Sequence, residues 1–158
     1  MSARVAERMT AATRRTPPGD AARVTLAPDA AAAFERLWAD LFGSDARGDL
    51  LVCSLGAGAG ASSVAAGLAV AGARPAGSAS VALVDAHLRR PTLHRMLHVA
   101  RRPGLADVLA ERTVPELTAR AVNAGLDVYA AGERPRAARA LLWSDRLAWL
   151  LRQLRLGY

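Results

Sequence analysis

Three kinds of residue in this chain could do chemistry together: the glycines Gly56, Gly58 and Gly60, the hydroxyls of Ser62 and Ser63, and the carboxylate of Asp85. Glycines let a backbone turn tightly and bring several N–H groups close to a ligand. A helix that starts directly after them adds partial positive charge at the same spot, and anions, phosphates above all, bind there. The neighbouring residues supply the elements such a loop needs. Residues 50–54 are a short apolar run followed by turn signals, which predicts a buried parallel strand. Residues 62–71 are rich in Ala and Leu without proline, which predicts a helix. The order is strand, glycine loop, helix.

Two fingerprints compete for this string. Gly60-Ala61-Ser62-Ser63 lies where a P-loop carries G-K-[ST]-[ST], with Ser62 as the hydroxyl that would ligate magnesium. Gly56, Gly58 and Ala61 also satisfy G-x-G-x-x-[GA], the NAD(P) dinucleotide pattern, with Asp85 as the acid at the end of the next strand. Either pattern alone is weak, and a Gly/Ala turn that merely packs a helix on a strand is the bland alternative. One absence bears on both. A P-loop lysine would stand at position 61, which is Ala61, and all 21 basic residues of the chain are arginine. His94 and His98 are four apart, a spacing that can bind zinc, but no third ligand is fixed and surface or packing roles are favoured. No Ser-His-Asp or Cys-His signature is present.

With 158 residues the chain predicts one domain with a single core. The core must be built from small side chains, since 52% of residues are hydrophobic and these are mostly Ala, Leu and Val, with no isoleucine. A formal charge of +7 favours acidic partners such as phosphates, nucleic acid or an anionic membrane, although a coding preference for arginine accounts for much of it. The single Cys53 falls in the expected first strand and reads as a small buried hydrophobe, and the lack of a disulfide framework fits a reducing cytoplasm. No run approaches the roughly 18 apolar residues that span a bilayer, and the N-terminus has no secretory h-region.

Residues 1–27 read as a flexible basic arm, and 28–158 as the folded domain. In that domain Phe34, Leu37, Trp38 and Leu41 predict an amphipathic helix over residues 30–42, suited to covering the sheet or to an oligomer contact. A Pro/Gly/Ser loop follows the second helix over residues 74–80. Residues 81–84 predict a second strand ending in Asp85, residues 92–98 and 105–109 short helices, and 115–121 a helix begun by Pro115. Residues 126–130 predict a third strand containing Tyr129, residues 132–136 a polar loop, and Ser144 the cap of a last helix with Leu147, Leu150, Leu151 and Leu154 on one face. In an open parallel sheet ligands gather at the carboxyl ends of strands, so Asp85 and the glycine loop should face one crevice.

The succession of these segments resembles the ATP-binding domain of the bacterial tyrosine kinases of capsule and exopolysaccharide synthesis, relatives of the deviant Walker ATPases. Five colinear stretches carry the likeness: AAFERLWADL from Ala32, SLGAGAGASS from Ser54, VDAHLRRPTLH from Val84, PGLADVLA from Pro103 and GLDVYAAG from Gly125. The resemblance implies an α/β, P-loop NTPase-like three-layer sandwich with a mainly parallel sheet, incomplete because the chain stops at Tyr158 before the Walker B strand. It implies that Gly58, Ala59, Gly60, Ala61, Ser62 and Ser63 cradle the phosphates of ATP or ADP. Ser62 and Asp85 would hold Mg2+, Asp85 would keep a residual catalytic role, and His87, Arg89 and Arg90 would lie nearby. It further implies a membrane polysaccharide co-polymerase or export protein as partner, and a cytoplasmic site at the inner face of the membrane. A homo-oligomer through the helix at residues 30–42 is also implied, and no nucleic acid. Departures fall on the chemistry. Ala61 replaces the lysine, Ala59 the loop acid and His87 the second acid near the metal, while Glu35 and Trp38 stand where the oligomer helix carries arginines. Losing charged transition-state contacts costs powers of ten in rate, so phosphoryl transfer is expected to be impaired. A nucleotide-independent interaction module on the same fold is the rival expectation, and an NAD(P)-binding domain the third.

Overall fold

A computed structural model describes residues 26–43, 48–73, 81–115 and 118–158. The expected basic arm, but for its last two residues, and the loop at 74–80 lie outside them. In chain order the elements are α1 (Pro28–Phe42), α2 (Ala61–Gly72), β1 (Val81–Val84), α3 (Leu93–Met96), α4 (Leu105–Leu109), β2 (Ala119–Asn123), β3 (Leu126–Tyr129), α5 (Ala138–Leu142) and α6 (Asp145–Gly157).

The sheet has the order β1-β3-β2. β1 and β3 run parallel with Val81 opposite Leu126 and Val84 opposite Tyr129. β2 runs antiparallel to β3, with an irregularity between Ala121 and Asn123. The sheet is therefore mixed, with one parallel and one antiparallel pair. Alternation along the strands divides the core in two. Leu83, Leu126 and Val128 face a cluster containing Ala66 and Ala69 of α2 and Leu93 and Leu97 at α3. Val84 and Tyr129 face the other side, where Leu105, Val108 and Leu109 of α4 meet Leu150 and Leu154 of α6. Helices on both faces of a small sheet make the three layers.

α2 carries no charged residue and is buried from Ala66 to its end but for the half-buried Val70, as a helix covered on two sides should be. Its second cover is α1. A Cβ on Gly67 would overlap the Phe34 ring, and one on Gly72 would overlap the Trp38 ring, so two glycines form sockets for two aromatics. Trp38 also packs on Phe42 with ring centroids 4.4 Å apart. α1 thus lies on α2, where the sequence suggested a cover for the sheet.

Four expectations need correction. Residues 50–54 form no strand, and Leu51 is 83% exposed. Among the described residues no neighbouring strand offers this segment a ladder, and a lone extended segment gains neither paired backbone groups nor burial. Cys53 is consequently exposed rather than buried. Just before the segment, Asp49 Oδ2 accepts the Nε–H of Arg155 of α6 at 2.8 Å in an exposed contact. The helix expected at 115–121 gives way to β2, because the turn at Ala124 and Gly125, with Gly125 at φ 82°, folds residues 119–123 back on β3. Thr118 closes the preceding turn by donating both its N–H and its hydroxyl to the Pro115 carbonyl. Finally, the helix after Thr92 ends at Met96, and His98 sits beyond it at φ 51°, so His94 and His98 do not share a helical face.

Candidate phosphate-binding loop and its acidic neighbour

Gly58 and Gly60 stand at φ 78° and 85°, a left-handed backbone that an L side chain rarely adopts. No atom lies within 4 Å of where a Cβ would be at Gly56, Gly58 or Gly60, so the mouth of the loop is open. Gly60 caps α2, and its carbonyl accepts the N–H of Val64. The N–H groups of Ala61, Ser62 and Ser63 therefore belong to the first helical turn, where no intrahelical acceptor exists. They point to the same end of the helix as its positive dipole.

Asp85 follows β1 and is only 3% exposed. Burying a carboxylate is costly unless it is hydrogen-bonded, and Asp85 is bonded three times. Its Oδ1 accepts the His87 N–H at 3.1 Å, and its Oδ2 accepts the N–H groups of Thr92 and Leu93, each at 3.2 Å. The carboxylate thus turns the chain from β1 and anchors the start of α3. A carboxylate offers about four acceptor positions, so these bonds leave about one.

Thr92 joins this turn to the loop. Its hydroxyl donates to Ser62 Oγ at 2.9 Å while its N–H donates to Asp85. Ser62, Thr92 and Asp85 form a chain of contacts between the first turn of α2 and the end of β1, and the two candidate ligands are brought together. Thr92 escaped the sequence reading. Its signal was a hydroxyl immediately before the apolar start of a helix, seven residues beyond an acid. His87, Arg89 and Arg90 lie on the exposed turn between Asp85 and Thr92, with the Arg90 N–H donating to the His87 carbonyl at 3.1 Å. Ala59 is in the exposed loop, and Ala61 opens α2 with only a methyl side chain.

His94 borders the same region. Burial, then Arg101 and Arg95, hold its pKa below the ordinary 6.5, with Asp85 pulling the other way. Its Nδ1 is buried without a hydrogen-bond partner. Among the described residues no group of three or more His, Cys, Asp or Glu side chains could hold a metal by itself. A divalent ion at Ser62 and Asp85 would take its remaining ligands from phosphate and water, the ordinary manner of magnesium. The open loop, the free helical N–H groups and the hydroxyl fit a phosphate group. They provide no side-chain cation.

No protein-family model matches the chain. It is 38% identical over 102 residues to the tyrosine-protein kinase EpsB of Ralstonia nicotianae, and 37% identical over 102 residues to EpsB of Ralstonia solanacearum. Each match takes in 64% of this chain and 13% of the relative, so the chain spans a small part of their length. Among solved structures, the BceF tyrosine kinase domain superposes with a TM-score of 0.58 at 34% identity, covering 65% of this chain and 40% of that one. The chimerical protein CapA2B2 gives 0.67 at 29% identity, covering 79% and 56%. The kinase domain of the Escherichia coli tyrosine kinase ETK gives 0.60 at 28%, covering 65% and 40%. Over this partial span the chain shares sequence and α/β fold with bacterial tyrosine kinase domains. Among the described residues no helix is long and apolar enough to cross a membrane.

Proposed function

We propose that this chain is a nucleotide-binding domain of the bacterial tyrosine-kinase type, impaired in phosphoryl transfer, that serves the regulation of exopolysaccharide or capsule synthesis and export. The observation that carries the reading is the contact chain from Ser62 through Thr92 to Asp85, which sets a hydroxyl and a carboxylate beside an open glycine loop. When bound, ADP or ATP with Mg2+ would supply the phosphates and the divalent charge. The backbone N–H groups from Gly58 to Ser63 would hold the anion, and Ser62 Oγ with the remaining acceptor position of Asp85 would be the side-chain groups available to the divalent ion.

Impairment follows from residues inside the site. Ala61 offers no ammonium, and Ala59 and His87 offer no carboxylates. Each lost transition-state contact of this kind typically costs 10²–10³ in rate, so transfer to a tyrosine hydroxyl falls far more than binding does. A regulatory partner at the inner face of the membrane and self-association through α1 belong to the same proposal. A rival reading, an interaction module that keeps the fold without nucleotide, is favoured by the number of bonds Asp85 already spends on the backbone. Calorimetry with ADP and Mg2+ decides between them. Saturable heat that disappears in Ser62→Ala supports the nucleotide site, and absence of heat at millimolar ADP supports the module. NAD(P) raising the melting temperature where ADP with Mg2+ does not would point to the dinucleotide alternative.

A further inference from the structure

Two loops near His94 form an open cleft of about 570 Å³ lined by Arg101, Arg102, Glu133 and Arg134. Three guanidinium groups face one carboxylate. The loops are stitched together before any ligand arrives. Arg101 Nε donates to the Gly132 carbonyl at 2.8 Å, and Leu105 and Ala106 donate their N–H groups to the Ala130 and Ala131 carbonyls at 2.7 and 3.0 Å. Gly104 packs so closely that a Cβ there would overlap Gly132 N and Ala130 O, and Gly132 itself sits at φ 80°. With Nε bound to a carbonyl, the two terminal nitrogens of Arg101 keep a fixed direction.

Glu133 answers this charge only in part. It pairs with Arg102 at 3.3 Å and Arg112 at 3.7 Å, and its side chain is 52% exposed, so both pairs are weak, solvent-screened contacts that a stronger anion can replace. The net positive field is felt beyond the cleft, where Arg101 helps to keep His94 neutral. Planar guanidinium groups recognise phosphate oxygens through paired N–H bonds. The cleft is much larger than a phosphate ion, which leaves room for the molecule that carries it.

We infer that the cleft between residues 101–102 and 133–134 is a second anion site that takes a phosphomonoester, whose dianion displaces Glu133 from Arg102 and lies against Arg101 and Arg134. None of its residues belongs to the glycine loop, so the site stands or falls apart from the nucleotide reading.

The test uses the full chain, without Mg2+ or nucleotide, titrated with phenyl phosphate and with inorganic phosphate while amide and arginine Nε–H resonances are followed. Saturable shifts are expected at Arg101 Nε, Gly132 and Arg134, with phenyl phosphate binding more tightly than inorganic phosphate. In a cleft this open to water, removing one unit charge about 4 Å from the ligand changes the interaction by about 1 kcal/mol, or about fivefold in affinity. Glu133→Gln should therefore tighten binding by about that factor, and Arg134→Gln should weaken it by as much. Both side chains are exposed, so neither change threatens folding. The inference is overturned by shifts confined to residues 58–63, by equal affinity for the two probes, or by Glu133→Gln leaving affinity unchanged or weaker.

Discussion

Asp85 offers the sharpest quantitative handle on the site. Replacing it by alanine strands three backbone N–H groups, of His87, Thr92 and Leu93, in a region where the lost acceptor is 3% exposed. A net hydrogen bond is worth about 1 kcal/mol and one to a charged group about 1.5 kcal/mol at the weak end of its range, where bonds as long as 3.1–3.2 Å belong, so Asp85→Ala should cost roughly 3–5 kcal/mol. Against the 5–15 kcal/mol of an ordinary domain, that is a large fraction of the total. Asp85→Asn is the informative companion. Its carbonyl can keep the Thr92 and Leu93 bonds, but its NH2 then faces the His87 N–H, so one bond and the charge assistance are lost, for about 1–2 kcal/mol. Urea denaturation of the two variants beside the parent gives both numbers. If Asp85→Ala unfolds within 1 kcal/mol of the parent, the carboxylate does not hold the turn, and the contact chain to Ser62 loses its anchor.

Other outcomes follow from packing and charge. Because His94 has its pKa held below 6.5, any stability it contributes is complete above that value and is lost as pH falls. The melting temperature should drop more steeply below about pH 6.5 in the parent than in His94→Gln. Gly67→Ala gains about 0.5–1 kcal/mol in helix propensity, yet it overlaps the Phe34 ring at a cost of about 1–3 kcal/mol, so it should destabilise, and Phe34→Ala should relieve that strain in a double-mutant cycle. Burial, then the bond from the Tyr158 hydroxyl to Asp127 Oδ2 at 2.6 Å and the neighbouring Tyr129, raise the Tyr158 pKa above the ordinary 10. An alkaline absorbance titration should show a tyrosine that resists ionisation, absent in Tyr158→Phe, and the stability it contributes should fade as pH rises past about 10.

Much of the fold could be read from local pattern. β1 matches the apolar run at residues 81–84, β3 falls one residue short of its expected end, and α6 buries Leu150 and Leu154 on the predicted face. What was not legible depended on distant partners. Residues 50–54 have the composition of a buried strand, but a strand exists only where another offers its backbone, and none of the described residues does. Residues 115–121 looked helical after Pro115, but pairing of 119–123 with β3 outweighed local propensity. The glycine sockets for Phe34 and Trp38 are invisible in a helix that reads simply as Gly/Ala-rich. At the site, Asp85 and Ser62 stood out by type and position, while Thr92, which joins them, had no signal strong enough to separate it from an ordinary helix start. The adjacent pair Arg101 and Arg102 lies far along the chain from Glu133, and the two meet where Gly104 lets two loops touch.

Main-chain amides at the start of α2 are proposed to hold a phosphate opposite Asp85. The decisive measurement follows amide resonances of the isotopically labelled chain as ADP and Mg2+ are added. Saturable shifts are expected at Gly58, Gly60, Ser62, Ser63 and Thr92, abolished by Gly60→Val, whose side chain the φ of 85° would not tolerate. Resonances that stay in place at millimolar nucleotide, or that move only far from this loop, would contradict the proposal.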